Sequence, residues 1–164
     1  MCSSDLSREA PPNAIDVEFL SIAPENREAS GRRFGELIHA ALRDGGGAGV
    51  IEMNGRLLGA TSAEIEAARV SVAAALGHPV FQNAAAAQRV HREYPVILPL
   101  EGNRVFEGVI DLAYFDGDSW TVVDFKTDAG LGAKRKAYER QLQWYAHALH
   151  VIHGTPVRAV LLAL

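Results

Sequence analysis

The spacing of apolar residues predicts a helix soon after residue 30. Its buried stripe follows the i, i+3, i+4 pattern and consists of Phe34, Leu37, Ile38, Ala41 and Leu42. Ser30 is the expected N-cap, and His39 lies at the flank of the stripe. The glycine-rich run at 45–49 is expected to end the helix and form a loop. The pattern therefore gives one amphipathic helix followed by a flexible connection.

Three further helices are expected. Thr61 and Glu64 form a capping-box pattern at the start of a helix that ends near Gly77. A short helix follows from Pro79, and a long one spans about 133–153. Leu142, Ala146 and Leu149 form one apolar stripe on the long helix.

Strands are expected in the second half of the chain. Alternating or continuous apolar runs predict them at 90–98, 105–115, 120–126 and 157–164. The turn residues 116–119 make the second and third strands an antiparallel hairpin. The order of helices and strands predicts an α/β or α+β domain whose central mixed sheet has about four strands flanked by helices.

The domain is expected to occupy residues 30–164. Residues 1–29 mix prolines with polar residues without periodicity, which predicts an irregular lead-in or linker. The chain ends within an apolar run, so we expect it to be part of a longer polypeptide. Its 164 residues suffice for one hydrophobic core.

Composition excludes several classes of protein. Without an apolar run of ~20 residues or a secretory pattern, a cytoplasmic protein is expected. One cysteine, Cys2, excludes an internal disulfide, an iron–sulfur cluster and a four-thiolate zinc site. The net charge of −4 means that any contact with a polyanion is local or assisted by another chain. No phosphate-binding loop is present, so no nucleotide site is expected.

The hairpin carries the candidate chemistry. Asp124 and Lys126 lie at i and i+2 of a strand and so share a face, and antiparallel pairing can bring Asp111 beside them. Glu93 is expected on the preceding strand. Three acids among apolar neighbours repel one another unless a cation neutralises them, and carboxylate oxygens suit magnesium, manganese or calcium. Alternatively, Asp111 bonds a turn, and Asp124 with Lys126 is an ordinary ion pair.

The order of these motifs resembles the PD-(D/E)XK nuclease superfamily, and more narrowly the C-terminal nuclease domain of the RecB and AddA helicase–nucleases. The matching segments are residues 35–39, 92–95, 108–112, 123–128 and 141–146, together with Tyr138. They cover roughly residues 30–164. The absence of clustered cysteines favours this branch over the iron–sulfur branches of the superfamily. The resemblance implies a restriction-endonuclease-like core.

The resemblance also implies a role for each matching residue. The implied metal ligands are Asp111, Asp124, the carbonyl of Phe125 and His39, and the implied metal is Mg²⁺, with Mn²⁺ as an alternative. Lys126 orients or activates the attacking water, and Glu93 completes the metal shell or holds a water. The implied substrate contacts are Gln141, Tyr145 and Tyr138.

Structural explanations compete with some of these roles. His39 by itself is typical of an ordinary satisfied histidine, and Gln141 with Tyr145 of simple helix packing. A basic cluster beside the long helix is either a solvated face or a phosphate track: Lys134, Arg135, Lys136 and Arg140.

The function that the resemblance implies is a magnesium-dependent DNA nuclease. It would hydrolyse single strands as an exonuclease during double-strand-break repair or recombination, beside a helicase motor in the same chain or complex and an AddB-like subunit, with no membrane contact. One alternative is a catalytically silent module that binds DNA or acts as a scaffold in a repair complex. A second is a stand-alone exonuclease of the same superfamily.

Overall fold

The protein is represented by a computed structural model that describes residues 9–22, 29–127 and 131–164. Five strands are present in these ranges: β1 (Val17–Ser21), β2 (Arg89–Leu100), β3 (Arg104–Phe115), β4 (Trp120–Lys126) and β5 (Val157–Ala163). The helices are α1 (Arg32–Arg43), α2 (Ala48–Leu58), α3 (Ser62–Gly77), α4 (Pro79–Ala86) and α5 (Leu131–His153). Cys2 and Asp128 lie outside the described residues.

The strands form one mixed sheet in the order β1-β5-β4-β3-β2. β5 runs parallel to both β1 and β4, whereas β3 is antiparallel to β4 and to β2. Parallel neighbours need a long crossover connection, which α5 supplies between β4 and β5. The expected mixed sheet flanked by helices is therefore confirmed, with five strands in place of about four.

Both faces of the sheet are covered by helices. On one face, Val123, Val160 and Leu162 pack with the apolar stripe of α1 and with residues of α3 and α4. On the other face, Val122 and Leu161 pack with α5. Because successive residues of β5 enter opposite cores, nearly the whole strand is apolar, as expected for a strand buried on both sides.

The expectation of an irregular segment over 1–29 is wrong at residues 17–21. There β1 pairs with β5 from Val17–Ala159 to Ser21–Ala163, and Glu18 forms an ion pair with Arg158 across the two strands. Only five residues long and half exposed, β1 has too little periodicity to be recognised in isolation. Pairing with β5 determines its conformation.

Two local expectations near α1 are also wrong. The glycine-rich run is not only a loop, because α2 begins within it at Ala48. Gly31, and not Ser30, occupies the N-cap position of α1, where no side chain caps the helix. The capping box of Thr61 and Glu64 is confirmed. Within the described ranges, no helix has the length and apolar character needed to span a lipid bilayer.

Two glycines of α2 give opposite stability predictions. A methyl group placed on Gly49 would have no neighbour within 4 Å, whereas one placed on Gly55 would lie 2.6 Å from Ile65 Cγ1. Gly49→Ala should raise the free energy of unfolding by roughly 0.5–1 kcal/mol, because alanine favours a helix over glycine. Gly55→Ala should lower it by about 1–3 kcal/mol, since the methyl overpacks the contact with α3.

Urea unfolding of the two variants tests this prediction. The substitutions are chemically identical and lie in the same helix, so each serves as the control for the other. Stabilisation by Gly55→Ala would contradict the close packing of α2 against α3.

Candidate functional site

Three acids lie at one level of the sheet. The pairs Arg92–Leu112 and Tyr94–Ile110 flank Glu93 and Asp111, so these two acids face each other across β2 and β3. The β3–β4 pairs run from Phe115–Trp120 to Leu112–Val123, and the next step of that register brings Asp111 opposite Asp124. The register therefore aligns Glu93, Asp111 and Asp124 on neighbouring strands.

The regular alternation of side chains is interrupted at this level. Ile110 and Ala113 contribute to the same core although they are three residues apart on β3. On β2, His91 and Tyr94 stack with their ring centroids 4.5 Å apart, and Glu93 between them has a φ of 48°. Left-handed backbone is uncommon for non-glycine residues and concentrates at functional sites.

Asp111 links three elements of the fold. Its Oδ2 accepts the backbone N–H of Phe125 at 2.8 Å, which extends the contact between β3 and β4 by one side-chain bond. Its Oδ1 lies 3.3 Å from His39 Nδ1. His39 Nε2 in turn lies 3.1 Å from the carbonyl oxygen of Phe125. The register of the hairpin and the apolar stripe of α1 together bring these groups to one place.

Asp124 is the most buried acid of the site, with 3% of its surface exposed. Lys126 lies two residues further along β4, and its Nζ forms an ion pair with Asp124 Oδ2 at 2.8 Å. The predicted shared face of these two residues is therefore confirmed. The Lys126 ammonium also lies 4.6 Å from the centroid of the Tyr138 ring, in a cation–π contact.

Burial and charge separate the pKa values of the two aspartates. Burial, together with the negative charge of Asp111, raises the pKa of Asp124 to about 7 despite the nearby Lys126. Burial also raises the pKa of Asp111, but hydrogen bonding and charge from His39, with the Phe125 N–H, hold it below its ordinary value. Burial lowers the pKa of His39, and Asp111 more than compensates, so that pKa is raised.

The donor atoms suit a hard divalent cation. Asp111, Asp124 and the Phe125 carbonyl supply oxygen atoms, and His39 supplies an imidazole nitrogen. Two buried carboxylates that raise each other's cost of ionisation are a setting that a cation would stabilise. In the described ranges, however, no three acid, histidine or cysteine side chains surround a common point. Here His39 and Lys126 provide the compensating positive charge.

Glu93 lies apart from this cluster. Its side chain is exposed, and its carboxylate lies 3.7 Å from Arg43 Nη1, which also pairs with Asp44. The structure thus aligns Glu93 with the other acids in register while it contacts Arg43 on α1. Arg43 has no assignment in the sequence analysis, because its proximity to Glu93 arises only from the packing of α1 against the sheet.

Helix α5 places Gln141 and Tyr145 beside β3. Gln141 Nε2 donates to the Tyr145 hydroxyl at 2.8 Å, and Tyr145 is buried. A Cβ atom at Gly108 would lie 2.6 Å from Tyr145 Cε1, so the ring packs where only glycine leaves room. Burial and the charges of Asp124 and Asp111 raise the pKa of Tyr145 to about 12, so its hydroxyl stays protonated. A glycine inside a strand was the available sequence signal for this contact.

The basic cluster on α5 is partly engaged in structural contacts. Arg135 pairs with Glu139 at 2.7 Å, and its guanidinium lies 4.4 Å from the centroid of the Phe19 ring of β1. Arg140 donates to Gln143 at 2.9 Å. These contacts favour a structural role for both arginines over tracking of phosphates.

Comparisons with known proteins agree with the geometry. The chain is 31% identical over 102 residues to an ATP-dependent helicase/nuclease subunit, of the AddA type, from Desulforamulus reducens. That match covers 52% of this chain and 8% of the relative, so the chain spans a small part of the relative's length. The family model of the PD-(D/E)XK nuclease superfamily matches residues 17–164, from β1 to the last residue. The chain therefore belongs to the PD-(D/E)XK nuclease superfamily.

Proposed function

We propose that the chain is a metal-dependent deoxyribonuclease that hydrolyses phosphodiester bonds of single-stranded DNA as an exonuclease. The observation that supports this most directly is the convergence of His39, Asp111, the Phe125 carbonyl and the Asp124–Lys126 pair at one end of the β3–β4 ladder. These are the residue types that phosphodiester hydrolysis needs: oxygen ligands for a hard cation and a lysine for developing negative charge.

Asp111, Asp124, the Phe125 carbonyl and His39 would hold Mg²⁺ or Mn²⁺. When bound, the cation supplies positive charge that polarises the scissile phosphate and favours deprotonation of water. The hydrogen bond from the Phe125 N–H fixes the carboxylate of Asp111, and His39 restrains it from the other side. These contacts preorganise the acid before the substrate arrives.

Lys126 would orient the attacking water and stabilise the charge that accumulates on the phosphate. Its ammonium is held between the Asp124 carboxylate and the Tyr138 ring, which restricts it to the site. A fixed donor costs little reorganisation during the reaction. Glu93 would hold a water on the exposed side of the site.

The substrate strand would be contacted by Gln141, Tyr145 and Tyr138. Tyr145 is buried, so its ring supports the site while its hydroxyl holds the half-buried Gln141. Gln141 is then the member of the pair that presents polar atoms to DNA. Tyr138 contributes through its contact with Lys126.

We further propose that the chain is the nuclease module of an ATP-dependent helicase–nuclease. The printed name of its relative from Desulforamulus reducens supports this context. The motor would belong to the same full-length chain or complex, an AddB-like subunit would be a further partner, and the setting would be cytoplasmic DNA repair or recombination. A module that binds DNA without cutting it is the competing function.

The roles of Asp124 and Lys126 predict a loss of cleavage without a loss of fold. Asp124→Asn and Lys126→Ala should each lower kcat for single-stranded DNA by ~100-fold or more, because each removes charge next to the reacting phosphate. Cleavage of an oligothymidylate in Mg²⁺ and in Mn²⁺ measures this, with circular dichroism to verify folding.

Asp118→Asn is the control for the aspartate, since it removes a carboxylate from the exposed turn of the same hairpin. Lys136→Ala removes an exposed lysine of α5. Full activity of Asp124→Asn and Lys126→Ala would make the site assignment wrong. Calorimetric Mn²⁺ binding without turnover in any context would favour the non-cutting module.

The ligand role of His39 gives a separate prediction. His39→Ala should weaken Mn²⁺ binding by ~10-fold or more, because it removes both a donor nitrogen and a restraint on Asp111. Isothermal titration calorimetry measures the affinity, and His78→Ala, at the N-cap of α4, is a histidine control. Unchanged Mn²⁺ affinity in His39→Ala would remove this residue from the proposed ligand set.

Gly108 gives a prediction about the support of the site. Gly108→Ala should reduce kcat by ~10-fold or more, because the new methyl displaces Tyr145 and with it Gln141. Val109→Ala, at an exposed position of the same strand, should retain activity. Rates are compared at a temperature at which unfolding curves show each variant folded. Wild-type kcat in Gly108→Ala would show that cleavage does not depend on the position of Tyr145.

A further inference from the structure

An open cavity of about 310 Å³ adjoins the candidate metal ligands. His39, Phe125 and Lys126 form part of its wall, and the cavity continues past them to Thr127 and Tyr138. The cavity therefore extends the site in one direction, along the start of α1 and the end of β4.

Two glycines shape the wall that α1 contributes. Gly31 and Gly35 line the cavity and lie one turn apart, with His39 a further turn along the same face. A Cβ at Gly35 would lie 2.9 Å from Thr127 Oγ1, so α1 approaches the end of β4 as closely as glycine allows. The result is a smooth wall that leads down to the imidazole.

The rim carries a charge pair. Arg32 and Glu36 line the cavity from the first turns of α1, and Arg32 Nε lies 2.7 Å from Glu36 Oε1. The Arg32 side chain is 92% exposed, so this pair is readily opened. With Lys126 inside and Arg32 at the rim, the cavity offers two cations to an anionic ligand, and Tyr138 offers an aromatic ring.

Size and position restrict the occupant. A volume near 300 Å³ is at the lower end of the range for small-molecule sites, which suits one nucleotide and not a duplex. A strand whose phosphate reaches His39 and Lys126 must pass through or beside this space. Aromatic rings bind unstacked bases with little sequence preference.

We propose that this cavity is a subsite for one unstacked nucleotide of single-stranded DNA, next to the scissile phosphate. Arg32 attracts the nucleotide's phosphate and Tyr138 borders its base or sugar, while Glu36 competes with the phosphate for Arg32. The inference rests on the proposed nuclease function, because it assigns the substrate unit of that same site.

Opposite effects of Arg32 and Glu36 test the subsite. Arg32→Ala should raise the dissociation constant for dTMP and the KM for an oligothymidylate by about three- to fivefold, a size typical of an exposed charge pair. Glu36→Gln should lower both, because it frees Arg32 and removes a repelling carboxylate. kcat should stay within about twofold, since neither residue contacts the proposed ligands.

Helix α2 supplies matched controls. Arg56 and Glu52 form an exposed i, i+4 ion pair of the same type as Arg32 and Glu36, with 3.2 Å between Nη2 and Oε1. Arg56→Ala and Glu52→Gln make the same changes in net charge away from the cavity. Both controls should leave dTMP binding and KM unchanged, which separates a local contact from the overall field of the protein.

Binding of dTMP and of inorganic phosphate is measured by nuclear magnetic resonance titration, and cleavage is measured in parallel. Equal effects of Arg32→Ala and Arg56→Ala, or phosphate binding as tight as dTMP binding, would overturn the nucleotide subsite while cleavage persisted. If wild-type protein fails to cut in Mg²⁺ and Mn²⁺ but binds dTMP in an Arg32-dependent manner, the proposed catalysis fails and the subsite stands.

Discussion

The hydrogen bond from the Phe125 N–H to the Asp111 carboxylate is the contact on which the site depends. It replaces the next backbone contact of the β3–β4 ladder with a side-chain contact, so the carboxylate is fixed where the two strands separate. His39 on α1 contacts both ends of this bond, through Asp111 Oδ1 and the Phe125 carbonyl. One bond thereby couples the sheet to α1 and sets the positions of the proposed metal ligands.

The same contact explains why the two aspartates differ. Asp111 receives a backbone donor and a histidine, which favour its ionised form, whereas Asp124 is almost completely buried and has Lys126 as its ion-pair partner. Two adjacent carboxylates in a low-dielectric setting cannot both ionise at low cost without added positive charge. Lysine and histidine supply that charge in this structure, and a divalent cation would supply it in the proposed enzyme.

Glycines allow the surrounding elements to approach the site. Gly108 gives room for the buried Tyr145 ring, and Gly35 lets α1 reach Thr127. Both are positions where a side chain would separate a helix from the sheet. Close approach on both sides leaves the candidate ligands between α1 and α5, with an open cavity along α1. The proposed nuclease and its proposed nucleotide subsite thus depend on the same packing.

The sequence by itself determined the family, the mixed sheet with its hairpin, and the shared face of Asp124 and Lys126, because strand periodicity and local spacing are properties of neighbouring residues. It also indicated the segments that carry His39 and Gln141. Only the tertiary structure decided that Val17–Ser21 is a strand, that a helix begins in the glycine-rich run, and that Glu93 contacts Arg43. Those features depend on partners distant in the chain, whose contacts no local pattern encodes.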